Sequence, residues 1–243
     1  IPMDRHLLQE WLDAGYIEEG KWHETGAGTP QGGIISPIIA NMALDGLERL
    51  LKEHFARHGR LRRRYKVHFI RYADDFIITG ISQEVLVQEV KPQVIEFLQE
   101  RGLELCESKS HIYNINAGFD FLGFSIRKYN GKLLIKPSKT SLKHIKGEIH
   151  EIISTHKSVS ATTLIVLLNP VIRGWANYFK HVVSKKVFDS LQDYIWKRLW
   201  GWAKRRHPNK SGRWVKNRYF TRVAGNHWVF TDGKDKTIFN PSK

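Results

Sequence analysis

The alternation of apolar and polar positions divides the chain into short elements of two periods. Leu7, Leu8, Trp11 and Leu12 recur at helical spacing and Gly15 follows them, so residues 4–25 read as a short helix and a turn. Residues 26–33 hold four glycines and Pro30 and read as a loop. Ser36-Pro37 then opens a helix, Ser36 as N-cap and Pro37 where a missing N–H costs nothing. Its repeating face is Ile39, Met42, Ala43, Gly46, Leu47 and Leu50, and the pattern carries it to about Phe55. A basic connector, residues 57–66, leads to two β-branched or aromatic runs, His68-Phe69-Ile70 and Phe76-Ile77-Ile78-Thr79. These predict a hairpin over 67–79 with Ala73-Asp74-Asp75 as its tight connection. Ser82 caps a further helix with Val87, Val90, Val94, Ile95 and Leu98 on one face, Pro92 as a kink and Gly102 as its end. Residues 103–110 read as a strand and a turn, and 119–127 with 132–136 as a hairpin about Asn130-Gly131.

After Pro137 the pattern becomes helical. Leu142, Ile145, Ile149 and Ile152 define a helix over 141–155. Two more are predicted at 160–168 and 170–181, split by Asn169-Pro170, and a long one at 187–205. From Asn209 no period stands out, and the tail reads as irregular with short strands at 227–231 and 236–239. The fold class is therefore α+β, with an antiparallel sheet and helices first and an all-α part second. The expected domains are 1–137, 138–208 and a tail 209–243.

Charge sharpens this division. Residues 1–120 hold 14 Lys+Arg against 18 Asp+Glu, whereas residues 121–243 hold 25 against 6, a net of −4 and +19. Such asymmetry points the second half at a polyanion, with nucleic acid ahead of an anionic membrane because no long basic amphipathic helix has a clean lipid-facing side. One cysteine, Cys106, excludes an internal disulfide framework and a Cys-rich zinc site. No run approaches the roughly 20 apolar residues of a membrane span. The chain starts at Ile1-Pro2, so it is expected to be a fragment of a longer protein.

Two stretches carry candidate chemistry. Asp74 and Asp75 are adjacent like charges, unfavourable unless a cation or solvent screens them, so an Asp-Asp hairpin tip suits a divalent metal as well as an acidic surface turn. The second stretch is Gly28-Thr29-Pro30-Gln31-Gly32-Gly33-Ile34-Ile35-Ser36-Pro37. Its small residues admit close approach of a ligand, Gln31 offers donor and acceptor, and the helix start behind it favours anions.

Pro30-Gln31-Gly32 with Ser36-Pro37, followed by Tyr72-Ala73-Asp74-Asp75, resembles the palm of a reverse transcriptase, closest to the group II intron-encoded reverse transcriptase–maturases. Gly102-Leu103-Glu104-Leu105 leading to Lys109, the block Phe121-Leu122-Gly123-Phe124, and Arg173-Gly174-Trp175-Ala176-Asn177-Tyr178-Phe179 match further blocks in order. The resemblance implies a right-hand polymerase palm, here incomplete, followed by a helical, basic thumb and maturase domain. It implies templated phosphoryl transfer with two Mg²⁺ ions about 3.5–4 Å apart. Asp74 would be the principal ligand; Asp75 is either a second ligand or a hydrogen-bonding turn residue. Tyr72, Pro30, Gln31 and Gly32 would line the template and nucleotide pocket, and Leu122, Gly123 and Phe124 would form the primer grip. Lys109 is either the proton donor to the leaving pyrophosphate or a surface lysine. The implied partners are group II intron RNA, an RNA template with a DNA primer, and a deoxynucleoside triphosphate, in a bacterial cytosol or nucleoid or in an organelle.

The family's palm also uses an Asp on an earlier strand. Asp4 and Asp13 precede Gly28, but neither lies in an apolar strand. The second ion is therefore expected to need an Asp from a missing N-terminal polymerase segment, and the chain alone is expected to be inactive. In the basic half, Lys139, Lys143, Lys146, Lys180, Lys185, Lys186, Arg198, Lys204, Arg205 and Arg206 are the RNA-binding candidates. The interleaved aromatics serve either as stacking platforms or as core, and Trp175 and Trp202 have the spacing of core. Two alternatives stand beside the polymerase reading: an RNA-binding splicing cofactor without polymerase activity, or a reverse transcriptase of a retron, diversity-generating or CRISPR-linked system. Residues 141–181 favour the intron branch.

Overall fold

The computed structural model describes residues 4–18, 20–24, 36–56, 65–223 and 227–241. The chain forms two compact units, Ile1–Ile112 and Tyr113–Lys243. Both mix helices with small antiparallel sheets.

The first unit begins with α1 (Arg5–Asp13), capped by the Asp4 carboxylate, which accepts from the His6 and Leu7 amides. A hairpin of β1 (Tyr16–Glu18) and β2 (Lys21–His23) follows where a turn alone was expected. The single helix expected from Ser36 to Phe55 is two: α2 (Ser36–Ala43) and α3 (Leu47–Ala56). Gly46, at φ +91°, breaks it; an L residue rarely takes that backbone, and the turn lets Leu44 and Leu47 both face the core. β3 (His68–Tyr72) and β4 (Asp75–Thr79) pair antiparallel with His68 opposite Thr79 and Tyr72 opposite Asp75.

Ser82 caps the next helical stretch by accepting from the Val85 amide. One turn (Gln83–Val85) passes into a π segment (Leu86–Val90), and α4 (Lys91–Gln99) restarts with Pro92 in its first turn. The expected kink is thus a widened turn: the Lys91 amide bonds to the Leu86 carbonyl, and Pro92 has no amide to continue the ladder. The core of this unit is Leu44, Leu47, Leu51 and Phe55 against Val90, Val94, Phe97 and Leu98, with Phe69, Phe76 and Ile78 of the hairpin packed on it. Residues 103–110, expected to include a strand, are irregular with a turn at 107–109.

The second unit begins with a three-stranded sheet, β5 (Phe119–Phe121), β6 (Phe124–Tyr129) and β7 (Lys132–Pro137), in that order. The expected first strand is cut in two by a turn at Leu122-Gly123. Four helices follow: α5 (Lys139–Thr155), α6 (Ala161–Phe179), α7 (Lys185–Arg206) and α8 (Gly212–Tyr219). Ser138, Ser160 and Ser211 cap α5, α6 and α8, each hydroxyl accepting an amide three residues on, a contact of roughly 1 kcal/mol.

Here α6 corrects the expected break at Pro170. The helix is continuous, because Leu164, Ile165, Leu168, Ile172, Ala176 and Phe179 are all buried along one side and their packing outweighs the missing bond. The tail holds the strand expected near 227–231 and is otherwise more ordered than expected. After α8, β8 (Phe220–Val223) and β9 (His227–Phe230) form a hairpin, and Thr231 bridges Thr237. Phe220, Val229, Phe230 and Ile238 are buried in the same core as Ile149, Leu168, Leu199 and Trp202, so α8, the β8–β9 hairpin and Ile238 contribute to the helical unit's core. Asn169 on α6 fastens the end: its Nδ2 donates to the Thr237 carbonyl (3.0 Å) and its Oδ1 accepts from the Phe239 amide (2.7 Å).

Candidate active site and nucleic-acid surfaces

The β3–β4 hairpin has one covered and one free face. Phe69, Arg71, Phe76 and Ile78 are half-buried; the Phe69 and Phe76 rings lie 5.7 Å apart, and both pack on the core. On the other face Ile70 is 56 % and Tyr72 67 % exposed. Directly opposed residues of an antiparallel pair share a face, so Asp75, opposite Tyr72, lies beside it on the free face, and Ile77 lies beside Ile70. Asp74 sits in the two-residue turn with Ala73 and is exposed. Ala73 has φ +53°, a left-handed backbone costing an L residue about 1–2 kcal/mol.

Neither carboxylate forms an ion pair among the described residues. Two neighbouring, accessible carboxylates have the hard oxygen chemistry that Mg²⁺ takes, and a magnesium site commonly draws only one or two carboxylates from protein. Among the described residues no group of three or more His, Cys, Asp or Glu is gathered for a metal. Asp4 and Asp13 are accounted for locally, as the α1 cap and as acceptor from the Gln9 amide group. The Arg71 Nη1 atom, on the covered face, is buried and has no hydrogen-bond partner among the described residues.

Lys109 is exposed in the 107–109 turn of the same unit, its amide bonded to the Cys106 carbonyl, and makes no hydrogen bond or ion pair with Asp74 or Asp75 among the described residues. Pro30, Gln31 and Gly32 lie outside the described residues.

The Leu122-Gly123 turn is built unlike a surface hairpin. Phe121 pairs with Phe124, and both central residues have positive φ, +49° at Leu122 and +78° at Gly123. Only primed turns take two such residues, and Leu pays the left-handed cost that Asn or Gly avoids. The same sheet turns again at Asn130-Gly131, with φ +46° and +81°, using the residues that this turn favours. The Leu122-Gly123 turn is held from the helices. The Tyr178 hydroxyl donates to the Leu122 carbonyl (3.0 Å), and the Ser138 amide donates to the Gly123 carbonyl (2.8 Å). Phe124 stacks on Tyr178 at 5.1 Å and meets Phe179 edge-on at 4.9 Å. Trp175 Nε1 donates to Ser141 Oγ, and a cleft of about 470 Å³ opens beside the turn, lined by Leu122, Ile145, Pro170, Gly174 and Trp175.

The basic candidates divide by surroundings. Lys139, Lys143, Lys180, Lys185, Lys186, Lys204 and Arg205 are exposed. Lys146 is half-buried, donates to Ser190 Oγ (3.3 Å) and lies over the Tyr194 ring, which Arg198 also covers at 5.1 Å. Arg206 donates to the Lys157 and Val159 carbonyls and covers Trp202, so it ties the α5–α6 loop to the end of α7. Trp202 is buried and donates to the His156 carbonyl, and Trp175 is partly buried, as their spacing indicated. Trp196 and Trp200 stack on each other at 5.4 Å against the core. Sequence reasoning missed a cationic clasp near the end of the chain: Trp228 lies 3.8 Å from Lys216 and 5.2 Å from Arg222. Its signal is the interleaving of basic and aromatic residues over 213–228, a stretch without a clear period. No helix among the described residues is long and apolar enough to cross a membrane.

Comparison with known proteins follows the same division. The reverse transcriptase (RNA-dependent DNA polymerase) family model matches residues 1–126, and the group II intron, maturase-specific domain matches residues 142–220. The chain belongs to the family of group II intron-encoded reverse transcriptases and maturases. It is 26 % identical over 200 residues to the group II intron-encoded protein LtrA of Lactococcus lactis subsp. cremoris, covering 60 % of this chain and 33 % of that protein. It is 29 % identical over 140 residues to protein YkfC of Escherichia coli (48 % of this chain, 37 % of the relative). It is 27 % identical over 168 residues to the putative COX1/OXI3 intron 2 protein of Saccharomyces cerevisiae (50 % and 20 %). The chain thus spans about a third or less of the length of LtrA and the yeast protein. The Asp-Asp hairpin falls inside the polymerase match, and α6 and α7 fall inside the maturase match.

Proposed function

We propose that the chain supplies the carboxylate-bearing palm hairpin and the RNA-gripping helical domain of an RNA-directed DNA polymerase that also serves its intron as maturase. One observation carries the reading: Asp75 and Tyr72 share the free face of a hairpin whose tip carries Asp74, while the opposite face is anchored in a core. Carboxylates fixed on a rigid strand pair and open to solvent suit a site that receives a primer end and a triphosphate together.

Asp74 and Asp75 would hold Mg²⁺, with a further carboxylate from outside this chain. When bound, the two ions stabilise the attacking and leaving oxygens of the transferred phosphoryl group. Tyr72 would stand against the primer end or nucleotide beside Asp75, and Pro30, Gln31 and Gly32 would line the template and nucleotide pocket. Lys109 is the candidate proton donor to pyrophosphate. Leu122, Gly123 and Phe124 would grip the primer. The exposed lysines of α5, α7 and their flanks would neutralise phosphates of intron RNA and of the RNA template with its DNA primer. The palm would end near residue 137, and the thumb and maturase domain would run over 138–208 together with α8, the β8–β9 hairpin and Ile238, which share its core; the basic surface of residues 209–243 would begin a DNA-binding region. Such a protein works beside its intron RNA, in a bacterial cytosol or nucleoid or in an organelle.

The test is primer extension on an RNA template, with the chain alone and with an added N-terminal polymerase segment. Extension is expected only with the added segment, and D74N is expected to abolish it. Robust extension by the chain alone would refute the need for an outside carboxylate. Absence of extension from the reconstituted protein would refute the polymerase reading. The maturase role predicts tighter binding of intron RNA than of random RNA of equal length, with affinity falling steeply as salt rises; equal affinities would sink it.

A further inference from the structure

We infer that Tyr178 is a positioning residue for the primer: its hydroxyl holds the Leu122-Gly123 turn in a shape that Leu122 alone disfavours. The inference rests on the reading of that turn as the primer grip.

The turn has a built-in comparison. Asn130-Gly131 closes the next hairpin of the same sheet with nearly the same two φ angles, using an Asn that tolerates them. At 122 a Leu takes the same backbone, so this turn depends on outside contacts for its conformation. Two hydrogen bonds reach its carbonyls. The Ser138 amide bonds to Gly123 and belongs to the chain's own return into α5. The Tyr178 hydroxyl bonds to Leu122, the strained residue itself, from the far half of α6.

Tyr178 is not there for burial, since it is 48 % exposed. Its ring stacks on Phe124, a task that Phe would perform equally. What the hydroxyl adds is the bond to the turn. With Phe179 buried and edge-on to Phe124 from the same helix, neighbouring residues of α6 hold the ring of Phe124 and the peptide of Leu122 together. A shift of α6 would therefore move the turn.

The experiment uses the chain reconstituted with the N-terminal polymerase segment, and measures kcat and KM for an RNA template–DNA primer. Y178F keeps the ring stack and removes the hydroxyl. It is expected to raise KM for the template–primer about fivefold, the factor that one net hydrogen bond supplies, with kcat within about twofold of wild type. L122N provides the second arm, since Asn adopts the left-handed backbone without help. In the L122N background the Y178F effect is expected to shrink to less than about twofold. A KM for Y178F within about twofold of wild type overturns the inference. An undiminished fivefold loss in the L122N background also overturns it, because Tyr178 would then act on the primer directly. If the reconstituted wild-type protein extends no primer, the primer-grip reading fails and the inference falls with it. A working wild type with an unaffected Y178F sinks the inference alone.

Discussion

Adding one methyl group at Gly123 and at Gly131 separates folding from primer handling. Both glycines hold the second central position of a two-residue turn, with φ +78° and +81°. Alanine in that region carries a backbone cost of about 1 kcal/mol or somewhat more. At Gly131 the new Cβ meets nothing within 4 Å, so G131A should show the backbone cost alone. At Gly123 it would lie 3.4 Å from Phe179 Cζ and 3.8 Å from Ser141 Cβ. Both are ordinary van der Waals distances, so G123A should carry the same backbone cost as G131A and no clash. For a unit of this size each kcal/mol moves the melting temperature by about 3–5 °C. The expectation is a fall of about 4 °C for each variant, read by circular dichroism melts. Primer handling should divide differently: G123A raises KM for the template–primer in the reconstituted protein, and G131A leaves it unchanged. If G131A impairs primer use as much as G123A, the turn at 122–123 has no special part. If G123A melts no lower than wild type, the left-handed geometry is wrong.

Three further outcomes follow from the same geometry. Ala73→Gly should raise the melting temperature of the first unit, because it relieves a left-handed alanine worth about 1 kcal/mol; a lower melting temperature counts against that turn. Asn169→Leu removes both bonds to the 237–239 segment, a loss of about 1–3 kcal/mol, and should speed hydrogen exchange at the Phe239 amide; unchanged protection there would show that the segment is held without Asn169. The Asp232 carboxyl is held below its ordinary range, chiefly by the Lys234 amide and further by the Lys236 amide and the Thr162 hydroxyl. A depressed carboxylate stabilises the fold above its unfolded pKa of about 3.9 and loses that contribution as pH falls through the folded value. D232N should therefore flatten the acid end of the melting-temperature profile below about pH 4 and leave its slope near pH 7 unchanged; identical acid limbs would refute the linkage.

The Asp-Asp hairpin was legible because its signal is local, two β-branched or aromatic flanks about a short connection; Asp75, expected in that connection, instead opens β4 paired with Tyr72, which leaves Ala73 and Asp74 as the tip. The helical cap at Ser82 was legible for the same reason, whereas those at Ser138 and Ser160 were not singled out. The readings that failed depended on tertiary packing. Pro170 looked like a helix break because it lacks an amide, yet α6 runs through it, with Leu168 and Ile172 buried on either side. Gly46 fell on the repeating apolar face and so looked like helix interior, but it marks the turn that brings Leu44 and Leu47 into one core. The α8 helix hid among basic and aromatic residues. Its apolar pair, Val215 and Tyr219, is four apart and buried, and the Ser211 cap was its strongest sequence mark. At the site, sequence spacing identified which carboxylates stand together. It did not reveal that Tyr72 shares a face with Asp75, which follows only from the register of the hairpin.

The register also bears on why the strained residues stand where they do. Ala73 and Leu122 are non-glycine residues at positive φ, and each lies in one of the two hairpins that carry candidate chemistry. Glycine at either position would remove a cost of about 1–2 kcal/mol, so folding alone does not select alanine or leucine there. A glycine tip, however, samples many more backbone conformations, and the oxygens of Asp74 and Asp75 would sample them too. A Cβ at 73 leaves the tip fewer alternatives, while the covered face, with Phe69, Phe76 and Ile78 on the core, supplies the packing that offsets the strain. The Leu122 turn has its counterpart in the bonds from Tyr178 and Ser138. The Asn130-Gly131 turn has residues that fit the same geometry with little strain. Lys66, just before β3, is left-handed too, at φ +51°, so such backbone is not confined to the candidate sites; at Ala73 and Leu122 it persists because packing and hydrogen bonds from the rest of each unit hold it in place.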